Sequence, residues 1–138
     1  MKYYTIGYGG RNPQEFVDTL KQHGITVVVD ARLRPEHSSM GAYVRARDSK
    51  KGIEGLLARS GIEYIWLPEL GNVFLGCEDW RERYEALFNV AGHLLTRRLS
   101  ELKTPLCLMC AEKDVANCHR AIIANYLVKN GQDVEHIL

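Results

Sequence analysis

The chain has 138 residues, 46% of them hydrophobic and 25% charged, and a formal net charge of +1. That suits one soluble α/β-sized domain, long enough for a real core without disulfides or metal. It argues against wholesale polyanion binding, while leaving a local basic patch open. No apolar run approaches the ~20 residues of a membrane span, and the amino terminus lacks a signal-peptide core. No membrane partner is expected, and the expected location is cytoplasmic.

Tyr3 to Tyr8 reads as a first strand running into Gly9-Gly10. Asn12, Pro13 and Glu15 then form a helix-start signal, as cap, first helical position and capping-box acid. Phe16, Val17 and Leu20 give that helix a buried face, and Gly24 ends it. The glycines after the strand do not make a dinucleotide-binding fingerprint, so they read as a tight turn. Ile25 to Asp30 is nearly all β-branched and reads as a central parallel strand. Asp30 and Arg32 at its end are either a mutually paired cap or part of a site.

From Leu33 to Gly52 no period appears, which in a compact domain points to a lid, a binding segment or disorder. Residues 32–51 hold Arg32, Arg34, Arg45, Arg47, Lys50 and Lys51 against Glu36 and Asp48. With His37 and Tyr43 interspersed, the segment suits either phosphate and nucleic-acid contact or a solvated basic loop. Ile53 to Ser60 reads as a short helix and Ile62 to Leu67 as a third strand, followed by Pro68 and Glu69. Asp79 to Lys103 is helical in pattern, with Trp80, Tyr84, Leu87 and Phe88 among its apolar positions and Gly92 as a place to bend. His93 reads as a surface or partly packed residue.

After Pro105 an apolar run, Leu106 to Cys110, reads as a buried strand. A polar turn with Glu112, Lys113 and Asp114 follows, then Cys118, His119 and Arg120 at the start of an amphipathic helix bearing Ile122, Ile123, Tyr126 and Leu127. Placing His119 and Arg120 in a first helical turn works against the helix dipole, at a cost of about 0.3–1 kcal/mol. The expected compensation is a bound anion, or Glu112 or Asp114 folding back onto Arg120. Val134 to Leu138 makes a last strand near an edge.

The cysteines stand at 77, 107, 110 and 118. Cys107 and Cys110 lie three apart on a strand, so they face opposite sides roughly 10 Å apart. That is too far for a disulfide, and all four are read as reduced thiols.

The alternation of elements implies one α/β domain over residues 1–138, with a mostly parallel open sheet of about five strands and helices on both faces. Gly7 to Arg11, Asp30 to Arg32, Glu69 and Cys110 to Arg120 would converge along one rim, where open α/β sheets place ligands.

Thr5-Ile6-Gly7-Tyr8, Val29-Asp30-Ala31-Arg32, Leu67-Pro68-Glu69-Leu70-Gly71, and Met109-Cys110-Ala111-Glu112-Lys113 leading to Cys118-His119-Arg120 resemble the family called domain of unknown function 488. The resemblance covers nearly the whole chain. Two departures stand out: Ser39-Met40-Gly41-Ala42-Tyr43, where members often show Asn-Pro-x-Phe, and Val115, where a proline is usual. The resemblance implies fold and site but no reaction.

Three chemistries suit these residues. A cysteine nucleophile would be Cys110, at a strand end, or Cys118 beside His119. The ten positions between Cys110 and Arg120, without glycine in the turn, argue against a phosphatase loop. A divalent metal on Cys110, Cys118 and His119, with Glu112 or His37, is the less favoured route, and no cofactor is expected. The favoured reading is an enzyme doing acid–base hydrolysis or group transfer on an anionic, phosphate- or nucleotide-like substrate. Asp30, Glu69, Cys110, Glu112 and His119 would act in catalysis, and Gly7, Arg11, Arg32, Cys118 and Arg120 in holding the anion. A nucleic-acid-binding module using the basic loop 32–51 is the alternative. Oligomeric state is left open.

Overall fold

A computed structural model describes residues 2–138. Its five strands are β1 (Lys2–Gly7), β2 (Val27–Asp30), β3 (Glu63–Trp66), β4 (Leu106–Cys110) and β5 (Asp133–Ile137). They form one sheet in the order β3-β2-β4-β1-β5, and every neighbouring pair is parallel. The expected mostly parallel sheet is therefore wholly parallel, with β5 at one edge. The helices are α1 (Pro13–Gln22), α2 (Gly52–Ala58), α3 (Trp80–Leu95), α4 (Arg97–Ser100) and α5 (Arg120–Lys129).

The apolar runs of β2 and β4 are explained by burial on both faces, as parallel strands require. Val27, Val29, Leu106 and Leu108 point to one face and pack with Tyr84, Phe88, Leu99, Ile123 and Leu127 of α3, α4 and α5. Val28, Cys107 and Met109 point to the other and pack with Phe16, Val17 and Leu20 of α1 and with Ile53 and Leu57 of α2. Helices thus cover both faces. Each fully buried large side chain, such as Phe16 or Leu20, contributes about 1.5–3 kcal/mol relative to exposure. Helix α1 begins as its sequence dictates: the Asn12 side-chain oxygen accepts the Glu15 amide at 2.9 Å, with Pro13 first in the helix.

The long helical pattern breaks at Thr96, between α3 and α4, and not at Gly92. Gly92 has a packing role. A Cβ there would fall 2.4 Å from the Tyr126 ring of α5. The aperiodic segment after β2 is pinned down rather than loose. Tyr43 is fully buried, stacks on Tyr8 at 4.3 Å, meets Phe16 edge-on and donates its hydroxyl to the Arg11 carbonyl at 2.8 Å. Two 3-10 turns, Pro35–His37 and Gly41–Tyr43, supply its local order. No helix among the described residues is long and apolar enough to cross a membrane.

Strand order positions the site. The chain leaves β1 and β2 toward the face covered by α1 and α2. It leaves β4, which lies between them, toward the face covered by α5. The loops after β4 and after its neighbours therefore part, and a crevice opens at the carboxyl end of β4. Open α/β sheets bind ligands at such a point.

Candidate functional site

The floor of this crevice is backbone against backbone. The Tyr8 and Gly9 amides donate to the carbonyls of Cys110 and Ala111, each at 3.0 Å, and the Ala31 amide donates to Met109 at 3.0 Å. The loops following β1 and β4 approach so closely that a Cβ on Gly7 would lie 1.8 Å from the Glu112 carbonyl oxygen. Above this floor is a cleft of about 960 Å³. Its lining includes Tyr8, Gly9 and Gly10 from the first loop, Arg32, Arg34, His37 and Ser38 from the second, and Cys110, Glu112, Lys113, Cys118 and His119 from the last. Asn72, Val73, Leu75 and Trp80 close the remaining side.

Arg32 is nearly buried and is held by Asp30, which is completely so. The Asp30 carboxylate accepts the Arg32 amide at 3.0 Å and its guanidinium at 2.9 and 2.7 Å. The Tyr64 hydroxyl donates to the same carboxylate, and Arg32 reaches the Tyr8 hydroxyl at 3.2 Å. Burial opposes the Arg32 charge, but Asp30 more than offsets it and keeps the guanidinium protonated above its ordinary range. Of the two sequence readings of Asp30 and Arg32, the mutual cap is what the contacts describe. The pair is a mutual cap, and Arg32 also lines the cleft while Asp30 stands behind it. Arg34 and Lys113 are exposed at the lining and have no carboxylate partner among the described residues.

Arg120 is fully buried beneath the loop after β4. Its Nη1 donates to the Glu112 carbonyl and, at 3.1 Å, to the Cys110 sulfur; Nη2 donates to the Lys113 carbonyl at 3.2 Å; Nε donates to the Thr5 hydroxyl at 3.3 Å. The misplaced charge at the start of α5 is thus met by backbone carbonyls, and no carboxylate among the described residues is in contact with it. Arg120 is not open to the cleft, so the expected anion-holding role is corrected to that of a strap under the loop bearing Glu112 and Lys113. Burial draws its pKa below the ordinary value, and the Glu112 and Asp114 charges oppose that change.

His119 is buried against the cleft and is oriented from both sides. Its Nε2 lies 2.8 Å from the Ala31 carbonyl. A carbonyl only accepts, so Nε2 carries the hydrogen and Nδ1 is the free base. Nδ1 faces the Cys118 sulfur at 3.8 Å, and the Tyr84 ring meets the imidazole edge-on at 5.3 Å. Burial pushes His119 below its ordinary pKa, so it is neutral at pH 7. The Cys118 sulfur also touches that of Cys110, with the two Cα atoms 7.8 Å apart. Cys77 and Cys107 are free. The sequence reading of reduced thiols did not bring this pair together; the last residue of β4 faces the residue two before α5 across the loop.

The remaining expected residues lie elsewhere. Glu69 pairs with Arg98 through two hydrogen bonds, one of 2.7 Å, and does not line the cleft. Pro68 starts a short 3-10 turn that aims it outward. Arg98 holds the Glu69 carboxyl below its ordinary pKa. Glu112 turns back to accept the Asp114 amide at 3.1 Å. Arg11 reaches the Gly7 carbonyl at 3.2 Å and stays outside the lining. No group of three or more His, Cys, Asp or Glu side chains is arranged for a metal ion among the described residues. The sequence reading gave no site role to Tyr8, Asn72, Trp80 or Lys113, and weighed Arg34 only within the basic loop and His37 only there or as a metal ligand. Lys113, inside the motif, and Arg34 and His37, beside Arg32, carried a positional signal. Asn72 and Trp80 carried none.

Two cysteine sulfurs, a neutral imidazole and solvent-facing cations thus meet at three adjacent strand ends. Comparisons with curated proteins and with solved structures give no match. The family described as "Domain of unknown function DUF488" matches residues 12–127, a span holding β2 to β4 and all the cleft-lining residues except Tyr8, Gly9 and Gly10. The chain belongs to that family.

Proposed function

We propose that this protein is an enzyme, a hydrolase or transferase, acting on a small anionic substrate of phosphate or nucleotide type in the cleft at the carboxyl end of β4. The observation that carries this reading is the meeting of unpaired cations with a neutral imidazole. Arg34 and Lys113 face the cleft without carboxylate partners, and His119 presents Nδ1 as a base at its inner wall. Arg32 adds directed N–H groups, although Asp30 neutralises its charge. Trp80, half-buried, supplies apolar ring surface at the lining, whereas Tyr8 is nearly buried against Tyr43 and Arg32 and contributes its hydroxyl side. The basic charge of the rest of the loop is divided: Arg45 stacks 5.0 Å over Trp66 and pairs with Glu54.

The test is calorimetric titration with inorganic phosphate and with a nucleoside monophosphate. Wild-type protein binds, and Arg34→Ala or Lys113→Ala weakens binding about tenfold, the loss of one charged hydrogen bond. Arg98→Ala, which removes a cation paired with Glu69 outside the cleft, leaves affinity unchanged. No binding of either anion at millimolar concentration and low salt would overturn the proposal.

A further inference from the structure

We infer that Cys110 and Cys118 are a working dithiol that exchanges with small, negatively charged disulfides admitted to the cleft. Three independent features converge on the pair. The two sulfurs touch at the cleft wall, although the residues are eight positions apart in sequence. The buried guanidinium of Arg120 donates to the Cys110 sulfur at 3.1 Å, and a fixed cation there favours thiolate over thiol. The Nδ1 of His119, on the free-base side of an imidazole whose other nitrogen is held by Ala31, faces the Cys118 sulfur. One cysteine is thus supplied with a cation and the other with a base. That division of roles is what a two-step exchange needs: an attacking thiolate first, then a thiol deprotonated on demand. Cys107 offers the contrast: it is completely buried, its sulfur's hydrogen-bond partner is its neighbour's carbonyl, and burial pushes its thiol well above the ordinary value against the opposing Arg120 and Arg11 charges.

The chemistry balances. The Cys110 thiolate attacks one sulfur of a disulfide R–S–S–R, forming a Cys110–S–R bond and expelling one thiolate, R–S⁻. Cys118 passes its proton to His119 Nδ1 and attacks the Cys110 sulfur, forming the Cys110–Cys118 bond and expelling the second R–S⁻. The protein dithiol is oxidised by two electrons and the small disulfide is reduced to two thiols. His119 returns its proton to the departing thiolate. The preference for a charged disulfide, and only that part, rests on the anion-binding reading of the same cleft through Arg34 and Lys113.

The experiment uses reduced protein carrying Cys77→Ser, which removes the exposed thiol. It is mixed with glutathione disulfide, which is anionic, or with 2-hydroxyethyl disulfide, which is neutral, and followed by thiol titration and intact mass. Two thiols disappear together without a lasting adduct. Adding Cys118→Ser stops the reaction at one adduct on Cys110, and adding Cys110→Ser abolishes it, while circular dichroism checks that each variant is folded. Retention of both thiols with either disulfide, or an adduct on Cys118 while Cys110 stays free, overturns the dithiol. With the dithiol intact, Arg34→Ala and Lys113→Ala slow the reaction with glutathione disulfide about tenfold more than that with the neutral disulfide. Equal slowing of both, or of neither, overturns the anion preference while the exchange itself stands.

Discussion

Asp30 shows how much a single side chain decides at the end of a strand. Its carboxylate is fully enclosed and satisfied by Arg32, by Tyr64 and by a backbone amide. Removing it leaves a nearly buried guanidinium unpaired, which in comparable settings costs about 3–5 kcal/mol. Asp30→Ala should therefore lose that much stability in urea denaturation, and a loss below about 1 kcal/mol would mean the pair is no better than a surface ion pair. The sequence showed an acid and a base two apart at a strand's end, which was enough to mark the position. It did not show that one would lie behind the other. Arg120 was legible in a different way. Its charge conflicts with the dipole of α5, and the conflict was visible. Its resolution was not, because the backbone carbonyls of Glu112 and Lys113 have no signature in side-chain identity. Glu69 shows the opposite error. A carboxylate just past a strand looked like its counterparts, but the turn begun by Pro68 carries it away to Arg98.

Among the elements, the crossing of the loops after β1 and β4 is the tightest joint. A side chain at Gly7 would have to displace backbone, not a flexible neighbour, so Gly7→Ala should behave as an overpacked site. The expected cost is about 1–3 kcal/mol, read from the thermal or urea midpoint, together with weakened anion binding as Lys113 shifts. Full stability and affinity in that variant would show that the loop yields freely. Strands β2 and β4 were legible because burial on both faces leaves an unbroken apolar run. Helix α1 was legible from its cap and its apolar spacing. The division of α3 from α4 was misplaced for a physical reason: glycine marks flexibility in isolation, whereas Gly92 makes room for Tyr126. The actual break is at Thr96, whose hydroxyl bonds back to the Gly92 carbonyl at 2.8 Å. The segment after β2 has no period to read because its order comes from one aromatic anchor, Tyr43.

For the molecule as a whole, buried His119 and half-buried His136 set a pH dependence with a definite sign. Burial holds both His119 and His136 below the ordinary value of 6.5, and the Arg120 charge lowers both further. The unfolded chain therefore takes up these two protons more readily than the folded one. Their contribution to stability is complete above pH 6.5 and is lost as pH falls from there toward the folded-state values. Below those values the two residues cause no further loss. The urea midpoint should accordingly fall between pH 7 and pH 5, and His119→Asn should flatten that slope. An unchanged midpoint over this interval would contradict the burial described for these rings. Glu69 acts in the same direction at lower pH, since Arg98 depresses its pKa below 4.5, but its partly exposed position keeps the effect small.

The Tyr43 anchor bears on how a guest would enter. Tyr43 is wedged between Tyr8 and Phe16, and burial raises its phenol to about 12, so the hydroxyl stays a neutral donor to the Arg11 carbonyl. The span bearing Arg34 and His37 is thereby moored to the first helix, and the receptacle is assembled before anything occupies it. Occupation then needs little loss of main-chain freedom, so more of each new contact goes into telling one guest from another than into shaping the container.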